Sequence, residues 1–215
     1  MSVAAAPRLV LATHNRHKIV ELRAILTPLV PGLDPEVIVG AGDLGAPEPV
    51  EDGVTFAQNA LVKARALAAF SGLPAVADDS GLCVDVLGGA PGVFSARWCG
   101  RHGDDAANVD LLLAQLADVP PEHRGAQFTC AAALVTPDGF EHVETGVLRG
   151  RLATTARGAG GFGYDPVLVP DQQPARARGT LLTGAELTPQ EKNAISHRGV
   201  AFRALAPLVV ERLGL

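Results

Sequence analysis

A short run of branched apolar residues, Arg8-Leu-Val-Leu-Ala12, breaks at Thr13-His-Asn15. It gives way to apolar positions spaced by three and four: Ile19, Leu22, Ile25, Leu26 and Leu29. A buried strand, a polar turn and an amphipathic helix, in that order, open an α/β fold and leave the turn residues at one end of a sheet. Pro28 and the Pro31-Gly32 pair stop the helix.

Residues 40–53, rich in Gly, Pro and acid, read as a loop. Thr55-Phe-Ala-Gln58 reads as a capping box, in which hydroxyl and side-chain amide reciprocally satisfy free backbone amides. The helix it opens carries Phe56, Leu61, Ala64, Leu67 and Ala68 and ends at Gly72. Pro74-Ala-Val-Ala77 is a short strand, followed by Asp78-Asp-Ser-Gly81 and then by Leu82-Cys-Val-Asp-Val-Leu87. Asp104 or Asp105 caps a helix through Val109, Leu112, Leu113 and Leu116. Gln127 to Thr136 is a strand, and Pro137-Asp-Gly139 turns it into an antiparallel return through residues 140–148, so the sheet is mixed. Thr188-Pro-Gln-Glu191 is a second capping box. A final helical pattern on Val200, Leu205, Leu208, Val209 and Leu213 is kinked or interrupted at Pro207.

A chain of 215 residues with 47% hydrophobic side chains buries a sizeable core without staples, and no linker divides it, so residues 1–215 form a single domain. The net charge of −5 and the lack of a basic cluster argue against nucleic acid as a partner, since backbone binding needs phosphate neutralisation. The three cysteines, Cys83, Cys99 and Cys130, include no C-x-x-C pair, which fits a reducing compartment. Met1 to Leu11 has no basic start or long apolar stretch of the signal-peptide kind, and no run reaches the roughly 18 apolar residues of a membrane span. A cytoplasmic protein without a membrane partner is expected.

Several segments offer chemistry. Thr13-His-Asn-Arg-His-Lys18 sits at a helix N-terminus, where unpaired amides and the dipole favour phosphate; an ordinary cap with solvated basic residues is the plainer reading. Asp78 and Asp79, ending an apolar strand, repel each other and want a cation or a turn. Mg²⁺ suits them, because it takes one or two carboxylates and keeps its other positions for water and phosphate; an Asx turn accounts for them equally. If the strand continues, the two face opposite sides and one of them enters the site. Glu51, in the acidic loop with Glu48 and Asp52, can reach the same cation or stay in solvent.

Gly158-Ala-Gly160-Gly-Phe-Gly163 spells a dinucleotide fingerprint, but Tyr164-Asp-Pro166 and a strand-like Val167-Leu-Val169 follow where a helix is required. A turn bringing backbone, Phe162 and Tyr164 to a planar ligand is one reading, and a hairpin turn with core aromatics is the other. Lys192 and Arg198 are donors suited to phosphate or carbonyl, and His197 alone reads as structural.

Taken together, the blocks Thr13-x-Asn15-x-x-Lys18, Glu51-x-Gly53-x-Thr55-Phe56-x-x-Asn59-Ala60-x-x-Lys63-Ala64, Ala77-Asp-Asp-Ser-Gly-Leu82, Gly89-Ala-Pro-Gly-Val-x-Ser-Ala-Arg97, Gly160-Gly-Phe-Gly-Tyr-Asp-Pro166, Glu191-Lys-Asn193 and Ser196-His-Arg-Gly199 resemble the inosine triphosphate pyrophosphatase family (XTP/dITP diphosphatases). They are collinear over nearly the whole chain. Trp98 departs from the Tyr that commonly follows the Ser-Ala-Arg triplet, and His14, Arg16 and His17 fill variable positions.

The resemblance implies an elongated mixed β-sheet flanked by helices, in two lobes with a central nucleotide cleft. It also implies a homodimer, a Mg²⁺ requirement, and cleavage of ITP, dITP or XTP to the monophosphate and pyrophosphate. In that reading Asp79 orients or deprotonates the attacking water and binds the metal with Glu51. Thr13, His14, Asn15, Arg16, His17, Lys18, Ser80 and Lys192 hold phosphates. Phe162 stacks on the purine within Phe162-Gly163-Tyr164-Asp165, Asp165 accepts from N1–H, and His197 or Arg198 donates to the 6-oxo oxygen. Three competitors remain: nucleotide-sugar transfer, a pyrophosphatase of the septum-inhibitor-like family, and a nucleotide sensor without turnover. A sensor gains nothing from repelling carboxylates, and no acceptor site for transfer is visible.

Overall fold

The computed structural model describes residues 8–13, 16–30 and 34–214, and of Arg16, His17, Lys18 and Glu21 the backbone alone. Strands β1 (Leu9–Leu11), β2 (Ile38–Gly40), β3 (Ala75–Val84), β4 (Gly125–Val135), β5 (Glu141–Leu152) and β6 (Leu168–Pro170) form one sheet in the order β2-β1-β3-β4-β5-β6. Helices α1 (Arg16–Leu26), α2 (Phe56–Ser71), α3 (Asp105–Gln115), α4 (Pro189–Ile195) and α5 (His197–Leu213) complete the α/β architecture. β1 runs parallel to β2 and β3, while β5 and β6 are antiparallel. Between β4 and β5, Gly139 at φ 91° donates to the Thr136 carbonyl, and the Thr136 amide to Phe140. The mixed sheet expected from the Pro137-Asp-Gly139 turn is therefore present.

The chain forms two compact units: Met1–Asp79 with Cys130–Gly146 and Arg198–Leu215, and Ser80–Thr129 with Val147–His197. The chain passes from one to the other inside β3, β4 and β5 and again at the start of α5, so neither unit is a contiguous segment.

In the first unit the two-residue period of the strands sorts the core onto two faces. Leu9, Leu11, Val76, Cys130, Ala132 and Leu134 pack with Leu22 and Leu26 of α1 and Phe202, Leu205 and Val209 of α5. Val10, Ala75, Ala77, Ala131, Ala133 and Val135 pack instead with Ala60, Ala64, Leu67 and Ala68 of α2. Alanines every four residues let α2 lie close to the strands, and each fully buried Leu contributes about 1.5–3 kcal/mol. In the second unit Leu82, Val84, Ala126, Phe128, Leu148 and Leu152 pack with Val109, Leu112 and Leu116 of and beside α3.

Four details depart from the sequence reading. β2 is a strand that the sequence reading does not include. Asp78-Asp-Ser-Gly81 lies inside a single ten-residue β3, which excludes the Asx turn. Thr55 caps α2 by accepting from Gln58 N, but Gln58 Oε1 reaches Val54 N at 2.8 Å, so the box closes one residue early. α5 runs unbroken through Pro207, an exposed position. The box at Thr188 and the caps at Asp104 and Gly72 form as expected.

Candidate active site

The strand parity that sorts the core also sorts the aspartates. Asp78 shares its face with Val76, and its Oδ2 accepts from Arg198 Nε at 3.1 Å; both side chains are nearly sealed from solvent (3% and 2% exposed). Asp79 shares its face with Ala75 and Ala77 and meets α2, where Asn59 and Lys63 stand one helical turn apart. Asn59 Nδ2 donates to Asp79 Oδ2 and Lys63 Nζ to Oδ1, each at 3.2 Å. Lys63 Nζ also lies 3.0 Å from Glu51 Oε1, so one ammonium joins two carboxylates from distant stretches of chain.

Gly53 brings Glu51 there. Its amide donates to Asn59 Oδ1 at 2.8 Å, and a Cβ on it would fall 2.6–2.9 Å from Asn59 and Gln58 atoms, so no larger residue permits that approach. Asn59 is thus buried with one end on the loop and the other on Asp79.

Burial raises the Asp79 pKa above the ordinary carboxylate range; Lys63 offsets part of this, and Glu51 adds to it. Burial pulls Lys63 down, but Asp79, Asp78 and Glu51 outweigh it and hold the ammonium above its usual value. Two hard carboxylates converging on one positive charge suit a divalent cation that keeps room for phosphate and water. Among the described residues no group of three His, Cys, Asp or Glu side chains forms a ready metal cage.

In the second unit, Phe162 is 54% exposed while Tyr164 is 4% exposed, with its hydroxyl on the Ser95 carbonyl at 2.9 Å. Phe162 is thus the open aromatic surface, and the Tyr164 ring belongs to the core. The loop's amides are taken internally: Gly160 N by the Ala185 carbonyl (3.0 Å), Phe162 N by Asp165 Oδ2 (2.8 Å) and Gly163 N by Asp105 Oδ2 (2.7 Å). Lys192 of α4 forms an ion pair with that same Asp165 Oδ2, and its Nζ sits 4.8 Å from the Phe162 ring centroid. Asp165 is 2% exposed and boxed in by Gly161, where φ is 72° and a Cβ would lie 2.1 Å from Oδ2. A carboxylate so enclosed anchors Phe162 and Lys192.

Ser80 is half-buried on β3. His197 is 7% exposed and stacks on Phe128 with ring centroids 4.9 Å apart. Thr13 follows β1 and donates its amide to the Leu11 carbonyl. His14 and Asn15 lie outside the described residues, and Arg16, His17 and Lys18 are placed by their backbone in the first turn of α1.

Asn59, Lys63 and Asp105 carry geometry to which the sequence reading gave no role. Asn59 and Lys63 had a signal, two polar residues at helical spacing on a face of alanines. Asp105 had none, since it reads as one more acid opening a helix.

Residues 9–208 match the sequence profile of the Ham1 family. A dITP/XTP pyrophosphatase of Streptomyces coelicolor is 63% identical over 96% of this chain and 99% of its own length. One from Corynebacterium efficiens is 51% identical over the same shares. Among solved structures, a nucleoside-triphosphatase / dITP/XTP pyrophosphatase of Mycobacterium abscessus is 50% identical, with a TM-score of 0.73 over 93% of this chain and 99% of that one. A HAM1 protein of Coxiella burnetii is 37% identical, with a TM-score of 0.82 over 95% and 99%.

Proposed function

The chain belongs to the Ham1 family, and from that membership we propose that it hydrolyses the non-canonical purine triphosphates ITP, dITP and XTP to the monophosphate and pyrophosphate. One observation carries the reading: the Asp79 carboxylate, held by Asn59 and Lys63, with Glu51 on the same ammonium. Its raised pKa brings Asp79 closer to a working general base, and its two fixed donors set its orientation. Asp79 orients the attacking water and accepts its proton as the oxygen adds to the α-phosphorus. Glu51 and Asp79 would hold Mg²⁺, which would supply Lewis acidity and offset charge on the leaving pyrophosphate. Lys63 balances the two carboxylates and would share them with that ion. Thr13, His14, Asn15, Arg16, His17, Lys18 and Ser80 grip the phosphates, a task of positioning and electrostatics.

Phe162 carries the purine, with Gly163 and Tyr164 shaping the loop beneath it. Lys192, fixed by Asp165, sits beside the ring. His197 or Arg198 donates to the 6-oxo oxygen of hypoxanthine or xanthine. Adenine presents an amino donor there, and a buried donor left unpaired supports discrimination of roughly 10⁴.

The protein works as one domain over residues 1–215, as a homodimer, in the cytoplasm, where the free thiols of Cys83, Cys99 and Cys130 persist. The deciding assay offers ITP, XTP, dITP, GTP, ATP and a UDP-sugar with Mg²⁺ and identifies the products. Monophosphate and pyrophosphate from ITP and XTP are expected; orthophosphate, or no product, overturns the reading. Sedimentation tests the dimer.

A further inference from the structure

We propose that Asp105 is a positioning residue that sets the plane of Phe162 by clamping the Gly163 amide. The proposal deepens the base-stacking reading given above and rests on it. Gly158, Gly161 and Gly163 have φ of 85°, 72° and 58°, so the segment has little stiffness of its own. Successive amides beside left-handed residues point outward together and need acceptors. Two of those acceptors come from later in the chain, Asp165 within the segment and Ala185 beyond it. The third comes from 58 residues earlier, the first residue of α3, and closes at 2.7 Å.

Asp105 is not needed where it stands for its own helix. Asp104 is the N-cap, accepting from Ala107 N at 3.1 Å and pairing with Arg101 at 2.8 Å. Adjacent carboxylates divide the work, one closing the helix and one reaching out of it. On the far side of Gly163, Tyr164 is fixed by burial and by its bond to Ser95. The Asp105 charge adds to the burial that raises the Tyr164 phenol, as its proximity requires. Phe162 is consequently an exposed ring on a backbone tied at its own amide and at the next one. Without Asp105 the peptide between Phe162 and Gly163 loses its outer tie, and the ring samples planes that do not match a purine.

The experiment compares Asp105→Ala, Asp105→Asn, Phe162→Ala and the double variant Asp105→Ala/Phe162→Ala, by steady-state kinetics on ITP and by amide hydrogen exchange. Asp105→Ala is expected to raise KM about 3–10-fold, the net scale of one ordinary hydrogen bond, with kcat within about twofold. Asp105→Asn, which keeps an acceptor oxygen, recovers most of the loss. The double variant is no worse than Phe162→Ala, and exchange quickens over residues 158–165 while β4 stays protected. Wild-type KM in Asp105→Ala beside a raised KM in Phe162→Ala overturns this proposal alone. Equal losses in the Ala and Asn variants with faster exchange throughout α3 also overturn it, by assigning Asp105 to helix stability. Wild-type KM in Phe162→Ala overturns the stacking reading, and the role of Asp105 falls with it.

Discussion

Asp78 and Asp79 are adjacent on β3 yet belong to different chemistries: the first is locked to Arg198, the second is shared by Asn59 and Lys63. The alternation of a strand makes this so, and it gives Asp78 a partner on α5. Lys63 still feels the Asp78 charge through the strand.

A buried ion pair is costly to break from one side, because the partner is left charged and dry. Asp78→Asn or Arg198→Met is expected to destabilise the fold by about 3–5 kcal/mol in urea titrations. The double variant should lose less than the sum of the two, since it leaves no orphaned charge. The Mg²⁺ concentration giving half-maximal activity should stay near wild type in Asp78→Asn. A tenfold rise would make Asp78 a metal ligand after all.

Asp79→Asn separates stability from activity. Turnover should fall by about 10²–10⁴-fold with nucleotide still bound, the scale of a lost general base. Metal-free stability should move the other way at neutral pH. The folded pKa of Asp79 lies above its unfolded value, so the native state binds its proton more tightly. The stability this group contributes is complete below the unfolded pKa and is lost as pH rises through the folded one. At pH 7 the charge is therefore a burden that Asn removes. The melting midpoint should rise by a few degrees, about 2–4 °C per kcal/mol for a chain of this size, and the gain should vanish below about pH 4. Thermal scans across pH in the presence of EDTA check the sign.

Mg²⁺ should relieve the same burden. A ligand that binds the folded state alone stabilises it by about 2.7 kcal/mol at a hundredfold excess over Kd. Wild type is expected to gain several degrees on adding the metal, and Glu51→Gln and Asp79→Asn to gain little. A full shift in Glu51→Gln would remove Glu51 from the site.

Much of this was legible in the sequence because it is local or periodic. The strand Leu9–Leu11, the helix Arg16–Leu26, the cap at Thr188 and the hairpin at Pro137 follow from spacing and turn chemistry. The opposite facing of Asp78 and Asp79 follows from parity once the strand is continuous, and an Asp-Ser-Gly tripeptide conceals that continuity by reading as a turn. The partners were not legible. Lys63 meets Glu51 and Asp79 through the packing of α2 on the sheet, and Asp105 meets Gly163 across 58 residues, and neither contact leaves a mark on local pattern. The enclosure of Asp165 leaves no local mark either, since it is set by Gly161 and Gly184, which crowd it from either side.

Phe162 gives the cleanest test of base recognition, because so little else depends on it. Its ring is more than half exposed, and its backbone bonds survive truncation, so Phe162→Ala should leave the melting midpoint within about a degree of wild type. A stacked base is worth about 1–3 kcal/mol to an aromatic side chain, so KM for ITP should rise by roughly 5–150-fold. Leu in its place restores area without an aromatic face and should recover little. Because stacking does not distinguish one purine from another, the ratio of kcat/KM for ITP over ATP should stay nearly constant in both variants. A collapse of the ratio in Phe162→Ala would move discrimination onto the loop itself.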